Sequence, residues 1–339
     1  MNTSIQGNHK QKNHLLLALL AAVGASSAMA QSSVTLYGRV NTTVERQKDG
    51  DVTKTGMFDN SSRFGFKGVE DLGGGLKAGF VLESGFDSSN GAGASSTGGL
   101  NFGRQSEVNL SGAFGTVRLG NFFPESYFAT ADYVSMHNHN TGSSSDALYY
   151  DPVWFGTLGT ANKIAYRTPS FGGLTVEGAM TFHENNAPSK YGYDLAANYN
   201  LGALALGAGY SGVNSNYQVA LRAAYTFGQF TVGGYYQRNK DDNQWGSVGA
   251  GTRNNFRLSG MYAMGASEFH VNLGRANNWS NVNDSASTQY TVGYNYNLSK
   301  RTKVYGYYTR INNGANSLNW AVPTGDNFSS FAVGVRHNF

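Results

Sequence analysis

Charged side chains on opposite parities of short alternating segments are where this chain would do its chemistry. Val34, Leu36 and Val40 share one face, which leaves Arg39 on the other; Phe64 and Phe66 likewise leave Arg63 and Lys67 opposite them. The same parity turns Glu83, Arg118, Lys163 and Arg167 away from lipid, because a cation facing mid-bilayer lipid costs about 2–4 kcal/mol. A basic wall of this kind, facing Glu83 and the acids Glu125, Asp132, Asp146 and Asp151, would set a field across a narrow passage, orient polar solutes and favour anions. Catalytic chemistry finds no support, since there is no Gly-x-Ser-x-Gly elbow, HExxH pair or phosphate-binding Gly-x-x-x-x-Gly-Lys-Ser/Thr run. His137 and His139 near Asp132 and Asp146 are weak evidence for a metal, as are Asp241, Asp242 and Asn243, and both groups read better as solvated loop residues. No catalytic residue, metal or cofactor is expected, and nothing suggests nucleic acid as a partner.

The elements that would position these charges are strands. In the last nine residues, Phe331, Val333, Val335 and Phe339 share one face while Ala332, Gly334, Arg336 and Asn338 share the other. Apolar-out and polar-in along a whole strand is the pattern of a transmembrane β-barrel. His337 is the one polar member of the outer face.

At the other end, Lys10 and Lys12 precede an apolar run over 15–23, and Ala28-Met29-Ala30 supplies a small-residue cleavage site. Residues 1–30 are therefore expected to be a secretory signal peptide, with the mature barrel domain at 31–339. The apolar run is far shorter than the ~20 residues of a membrane-spanning helix. A mean hydropathy of −0.38 suits a barrel, in which only alternate residues face lipid. There is no cysteine, so no disulfide or thiolate site exists. Without Lys10 and Lys12 the formal net charge of +4 falls to +2, so local placement of charge matters more than its sum.

Alternation along the chain predicts an all-β fold: a sixteen-stranded antiparallel transmembrane barrel. Short turns are expected at 71–75, 112–115, 170–173, 202–203, 228–229, 265–266 and 299–301, facing the periplasm. Longer exterior connections are expected near 47–55, 88–100, 122–161, 185–191, 214–216, 241–252, 279–286 and 313–326. The 122–161 connection exceeds the ~12–15 residues usual for an unstructured loop. It carries Phe122, Phe123, Tyr127, Phe128, Tyr133, Tyr149, Tyr150, Trp154 and Phe155, too much apolar surface to stay in water, so it should fold inward as a constriction loop.

Val34-Thr-Leu-Tyr-Gly38 and Ser62-Arg-Phe-Gly-Phe-Lys-Gly-Val-Glu-Asp-Leu72 with its continuation to Phe86 resemble the opening hairpins of Gram-negative general porins, especially the β-proteobacterial branch. Phe114-Gly-Thr-Val-Arg-Leu-Gly120, Thr168-Pro-Ser-Phe-Gly-Gly173, Leu298-Ser-Lys-Arg-Thr302 and Val335-Arg-His-Asn-Phe339 continue the resemblance in order. It implies a homotrimer packed through the N-terminal strands, one pore per subunit, and a third extracellular loop narrowing that pore. It also adds Arg104 to the basic cluster, against strand parity, which would turn Arg104 outward with Val108 and Leu110. The family's Pro-Glu-Phe-Gly-Gly-like turn is reduced here to Pro124-Glu125. Phe339 would be the signal read by the barrel-assembly machinery.

The expected function is passive diffusion of small hydrophilic solutes and inorganic ions, with anions preferred, through the outer membrane of a Gram-negative bacterium, among its lipid and lipopolysaccharide. A substrate-selective porin and a barrel acting mainly as adhesin or receptor are the alternatives.

Overall fold

The structure, a computed structural model, describes residues 33–132, 145–185, 190–242, 249–317 and 325–339. Its strands are β1 (Ser33–Asp49), β2 (Val52–Asp59), β3 (Arg63–Gly73), β4 (Leu76–Gly85), β5 (Gln105–Gly112), β6 (Gly115–Asn121), β7 (Lys163–Arg167), β8 (Leu174–Thr181), β9 (Gly192–Leu201), β10 (Leu204–Val213), β11 (Asn216–Phe227), β12 (Phe230–Asp241), β13 (Gly251–Met264), β14 (Ser267–Ala276), β15 (Ser287–Asn297), β16 (Thr302–Asn313) and β17 (Phe328–Asn338). Successive strands pair antiparallel, except that β2 and β3 both pair with β1, and β17 returns to β1, where Val44 meets Val333 and Arg39 meets Asn338. The ladder closes on itself through β1 and β17, which removes the free sheet edges that lipid could not satisfy.

Seventeen strand segments make sixteen staves because β2 and β3 are one stave interrupted at residues 60–62. The upper half of β1 pairs with β2, Thr42 opposite Asp59, and its lower half pairs with β3, Arg39 opposite Arg63. Ser61 takes a left-handed φ of 60° at the break. Alternation did not announce this interruption.

The outward face is apolar: Val34, Leu36, Val40 and Val44 on β1 and Phe331, Val333 and Val335 on β17 are exposed, while the intervening Arg39, Asn41, Thr43 and Glu45 are buried inside. His337 stays on the outer face, within 2.8 Å of the Thr302 hydroxyl. Two connections expected to be long are two-residue turns. Asp49 pairs with Val52 and Val213 with Asn216, so strands run through most of 47–55 and to either side of 214–215. Gly50 and Asn214, each at φ 55°, supply the positive φ that a tight hairpin needs.

Closure depends on one close approach. Gly38 and Phe339 exchange backbone hydrogen bonds of 3.1 Å in both directions. A Cβ on Gly38 would lie 2.5 Å from the Arg63 carbonyl and 2.6 Å from the Phe339 ring. Gly38→Val should therefore lower the yield of heat-modifiable barrel severalfold, as read by gel mobility of unheated membranes. Gly178→Ala, whose Cβ would meet only Leu195 at 3.9 Å, should leave the yield unchanged.

Candidate functional site

The stave break generates the first functional feature. It turns the carbonyls of Asn60 and Ser61 inward, and Arg39 donates to both, Nη2 to Asn60 O at 3.1 Å and Nε to Ser61 O at 2.8 Å. Among the described residues Arg39 pairs with no carboxylate, and its buried Nη1 has no hydrogen-bond partner. Backbone dipoles thus hold the guanidinium in place without cancelling its charge.

Arg63 lies across the β1–β3 ladder from Arg39. Glu83 is shared by two cations: its Oε1 accepts from Arg104 Nε at 2.7 Å and its Oε2 lies 3.6 Å from Arg63 Nε. Glu83 therefore does not stand opposite the basic wall as the sequence suggested; it is embedded in it. Arg104 precedes β5, so the parity of that strand does not bind it, and its guanidinium reaches the lumen to sit 5.4 Å from the centre of the Phe123 ring. Arg336, opposite Asn41 on β17, joins the same charged region and completes a group of four arginines that feel one another's charge. The inward parity of Arg336 was readable from the terminal strand; its nearness to Arg39 required the closed barrel.

Other cations are neutralised or occupied. Arg118 binds Glu107 at 2.8 Å and Glu177 at 2.9 Å, and Arg167 binds Glu177 at 2.7 Å and also Glu125. Lys163 is buried and donates to the Phe122 carbonyl at 3.1 Å, so it anchors the loop and is not an open part of the wall. Lys67 is exposed beside the Tyr37 ring, 5.3 Å from its centre. Arg222, Arg253 and Arg257 form a further buried inner-face group on β11 and β13. Strand parity opposite Leu221, Phe256 and Leu258 carried that signal.

The described parts of the 122–162 connection lie against the inner face. Helix α1 (Glu125–Thr130) follows Pro124. The Ser126 amide donates to Asp194 at 3.1 Å and Gln218 donates to the Ser126 hydroxyl at 3.2 Å. Gly207 allows this approach, since a Cβ there would fall 1.8 Å from the Ala129 carbonyl. Further along, Asn255 donates to Leu148 O at 2.7 Å, and Gln237 both donates to and accepts from the Tyr150 backbone at 2.8 and 3.1 Å. Tyr127, Tyr149, Trp154 and Phe155 pack together and onto Tyr235, with Tyr127 4.8 Å from Trp154 between ring centres.

The loop acids divide by role. Glu125 is tied to Arg167 and to Asn198 at 3.2 Å. Asp151 is fully buried and accepts from the Val153 and Trp154 amides at 2.9 Å and from Ser211 at 2.8 Å, which makes it a loop clamp. Asp132 accepts from Tyr127 at 3.1 Å and feels Arg63 and Arg39. The Asp146 side chain, Tyr133, His137 and His139 lie outside the described residues. Among the described residues no group of three His, Cys, Asp or Glu is placed to hold a metal.

A closed barrel with an apolar outside, a charged lumen and a long connection lying against the inner wall defines a transmembrane barrel of the outer-membrane channel class. The profile of the Gram-negative porins matches residues 16–316, and the chain belongs to that family. It is 32% identical to outer membrane porin protein 32 of Delftia acidovorans, over 97% of this chain and 100% of that protein. An outer membrane porin protein of Bordetella pertussis is 28% identical over 97% of this chain and 100% of its own length. The fold matches an anion-selective porin from Comamonas acidovorans with a TM-score of 0.76 and 29% identity, covering 91% of this chain and all of that one. The chain is thus a porin of the bacterial outer membrane that forms a passive channel.

Burial raises the Asp132 carboxyl above the usual aspartate range, with the Tyr127 hydroxyl and the arginines opposing the shift. A raised value means that Asp132 loses its charge earlier as pH falls. Anion preference, read as the zero-current potential across a KCl gradient, should therefore increase on moving from neutral to mildly acidic solution. Asp132→Asn should show the higher preference already at neutral pH and respond less to acid.

Proposed function

We propose that the lumen is an anion-preferring diffusion pathway for small hydrophilic solutes, constricted by the 122–161 loop. The observation that carries this reading is the group Arg39, Arg63, Arg104 and Arg336, of which Arg63 and Arg104 share the carboxylate of Glu83. At physiological salt the Debye length is about 8 Å, so fixed charges in a narrow passage act across its width. The anion selectivity of the related Comamonas porin supports the same reading. Asp132 supplies opposing charge from the loop, and Lys67 extends the basic track. The pathway works without a catalytic step.

The reading extends to assembly and surroundings. Residues 1–30 act as a signal peptide, and Phe339 marks the barrel for the assembly machinery. The subunit forms a homotrimer through its N-terminal strands. An outward groove of about 660 Å³ between Val44, Met57, Gly306, Val333 and Val335 lies at the closure, where β1 and β2 adjoin β16 and β17, and offers a seat for a neighbouring subunit. The long connections face the exterior, and lipopolysaccharide surrounds the outer half of the barrel.

Arg63→Glu should shift the zero-current potential in a KCl gradient toward cations at low salt, with the difference shrinking as salt rises. A potential equal to wild type at low salt, in intact trimers, would remove Arg63 from the conducting path. Deleting residues 127–149 should raise single-channel conductance and admit larger neutral sugars in liposome swelling. Unchanged conductance and size cut-off would place the loop outside the pathway.

A further inference from the structure

The outer face carries cations that the pore does not use. Of the strand arginines and lysines, only Arg46, Lys48, Arg238, Lys240, Arg275 and Arg310 share the parity of the lipid-facing residues, and all six sit toward the same end of the barrel, the end at which β12–β13, β14–β15 and β16–β17 are joined by long connections. The lipid-facing parity toward the opposite end carries no strand lysine or arginine among the described residues. An outward cation is least costly near an interface, but that alone would place cations at both ends. The one-sided distribution calls for an anion on one side.

Two of these cations stand above a groove. On the outer face of β11–β14 the rungs Ala223–Gly234–Leu258–Leu273 and Tyr225–Val232–Gly260–Val271 run side by side. The small residues Ala223 and Gly260 leave a furrow of about 500 Å³ between the larger apolar side chains. One rung further toward the long connections Arg275 pairs with Phe256, and one beyond that Arg238 pairs with Asn254. Arg275 donates to the Thr288 hydroxyl at 2.5 Å and Arg238 to Asn254 Oδ1 at 3.0 Å. Neither has a carboxylate partner among the described residues, whereas Lys240 nearby is paired with Asp242 at 2.8 Å. Neutral side chains thus orient both guanidiniums while leaving their charge and remaining donors available.

We propose that this face is a binding site for one lipopolysaccharide molecule, with an acyl chain in the furrow and a phosphate of the sugar headgroup on Arg238 and Arg275. Charge complementarity names the occupant: a bidentate donor fork suits a phosphate, and the apolar furrow directly below it suits a chain attached to that phosphate's sugar. The site lies on staves distant in sequence from the N-terminal strands of the proposed trimer contact. It rests on the reading that the long connections face outward and that lipopolysaccharide surrounds them, and it adds a defined seat.

The test uses trimers purified from outer membranes in mild detergent, with bound lipid counted by native mass spectrometry and trimer integrity checked by heat-modifiability. Arg238→Gln/Arg275→Gln should lower lipopolysaccharide affinity about tenfold, as expected for losing charge-assisted phosphate contacts. Gly260→Leu, which keeps the charges and fills the furrow, should also weaken binding. Rebinding to wild type should rank lipopolysaccharide above its dephosphorylated form and above phosphatidylglycerol. Equal retention by wild type and both variants overturns this site while leaving the wider association intact. Wild-type trimers that hold no lipopolysaccharide overturn both, and equal binding of phosphatidylglycerol overturns the glycolipid as occupant.

Discussion

Every backbone N–H and C=O in a bilayer must find a partner within the protein, because lipid offers none. For strands the solution is closure, and here the pairing of β17 with β1 completes it. Closure then dictates the side chains. With a period of two, each stave sends one set to lipid and one to the lumen, and the energetic separation of Val44 from Glu45 follows from the backbone alone.

Within the lumen, the partner of each arginine decides what it contributes. Arg118 and Arg167 lie in a chain of carboxylates running from Glu107 through Glu177 to Glu125, and their charge is spent locally in holding the loop to the wall. Arg39 is fixed by two carbonyls, and Arg63 and Arg104 share one carboxylate. The cations that retain a net field are therefore those near the stave break and β17. Formal charge counted along the chain would weight all of them equally.

The loop shows how a large apolar connection is stored in a wet interior. Its aromatic residues pack on one another and on Tyr235, while its backbone is met by Asp194, Gln237 and Asn255. Gly207 and Gly209 provide the close approach, since a side chain at either would collide with α1. Apolar burial and satisfied backbone groups act together, and neither would seat the loop alone.

The staves and their lipid-facing parity were determined by the sequence itself, because alternation is a local property and lipid penalises the wrong register strongly. So was the inward parity of Arg63 and Arg118. Tertiary structure decided what alternation cannot carry. The break at residues 60–62, the tight hairpins at Gly50 and Asn214, and the escape of Arg104 from strand parity depend on backbone conformation outside regular strands. The embedding of Glu83 between two arginines, and the conversion of Lys163 and Asp151 into loop anchors, depend on contacts between residues far apart in the chain. Parity tells which way a side chain points; only the closed barrel sets which side chains it meets there.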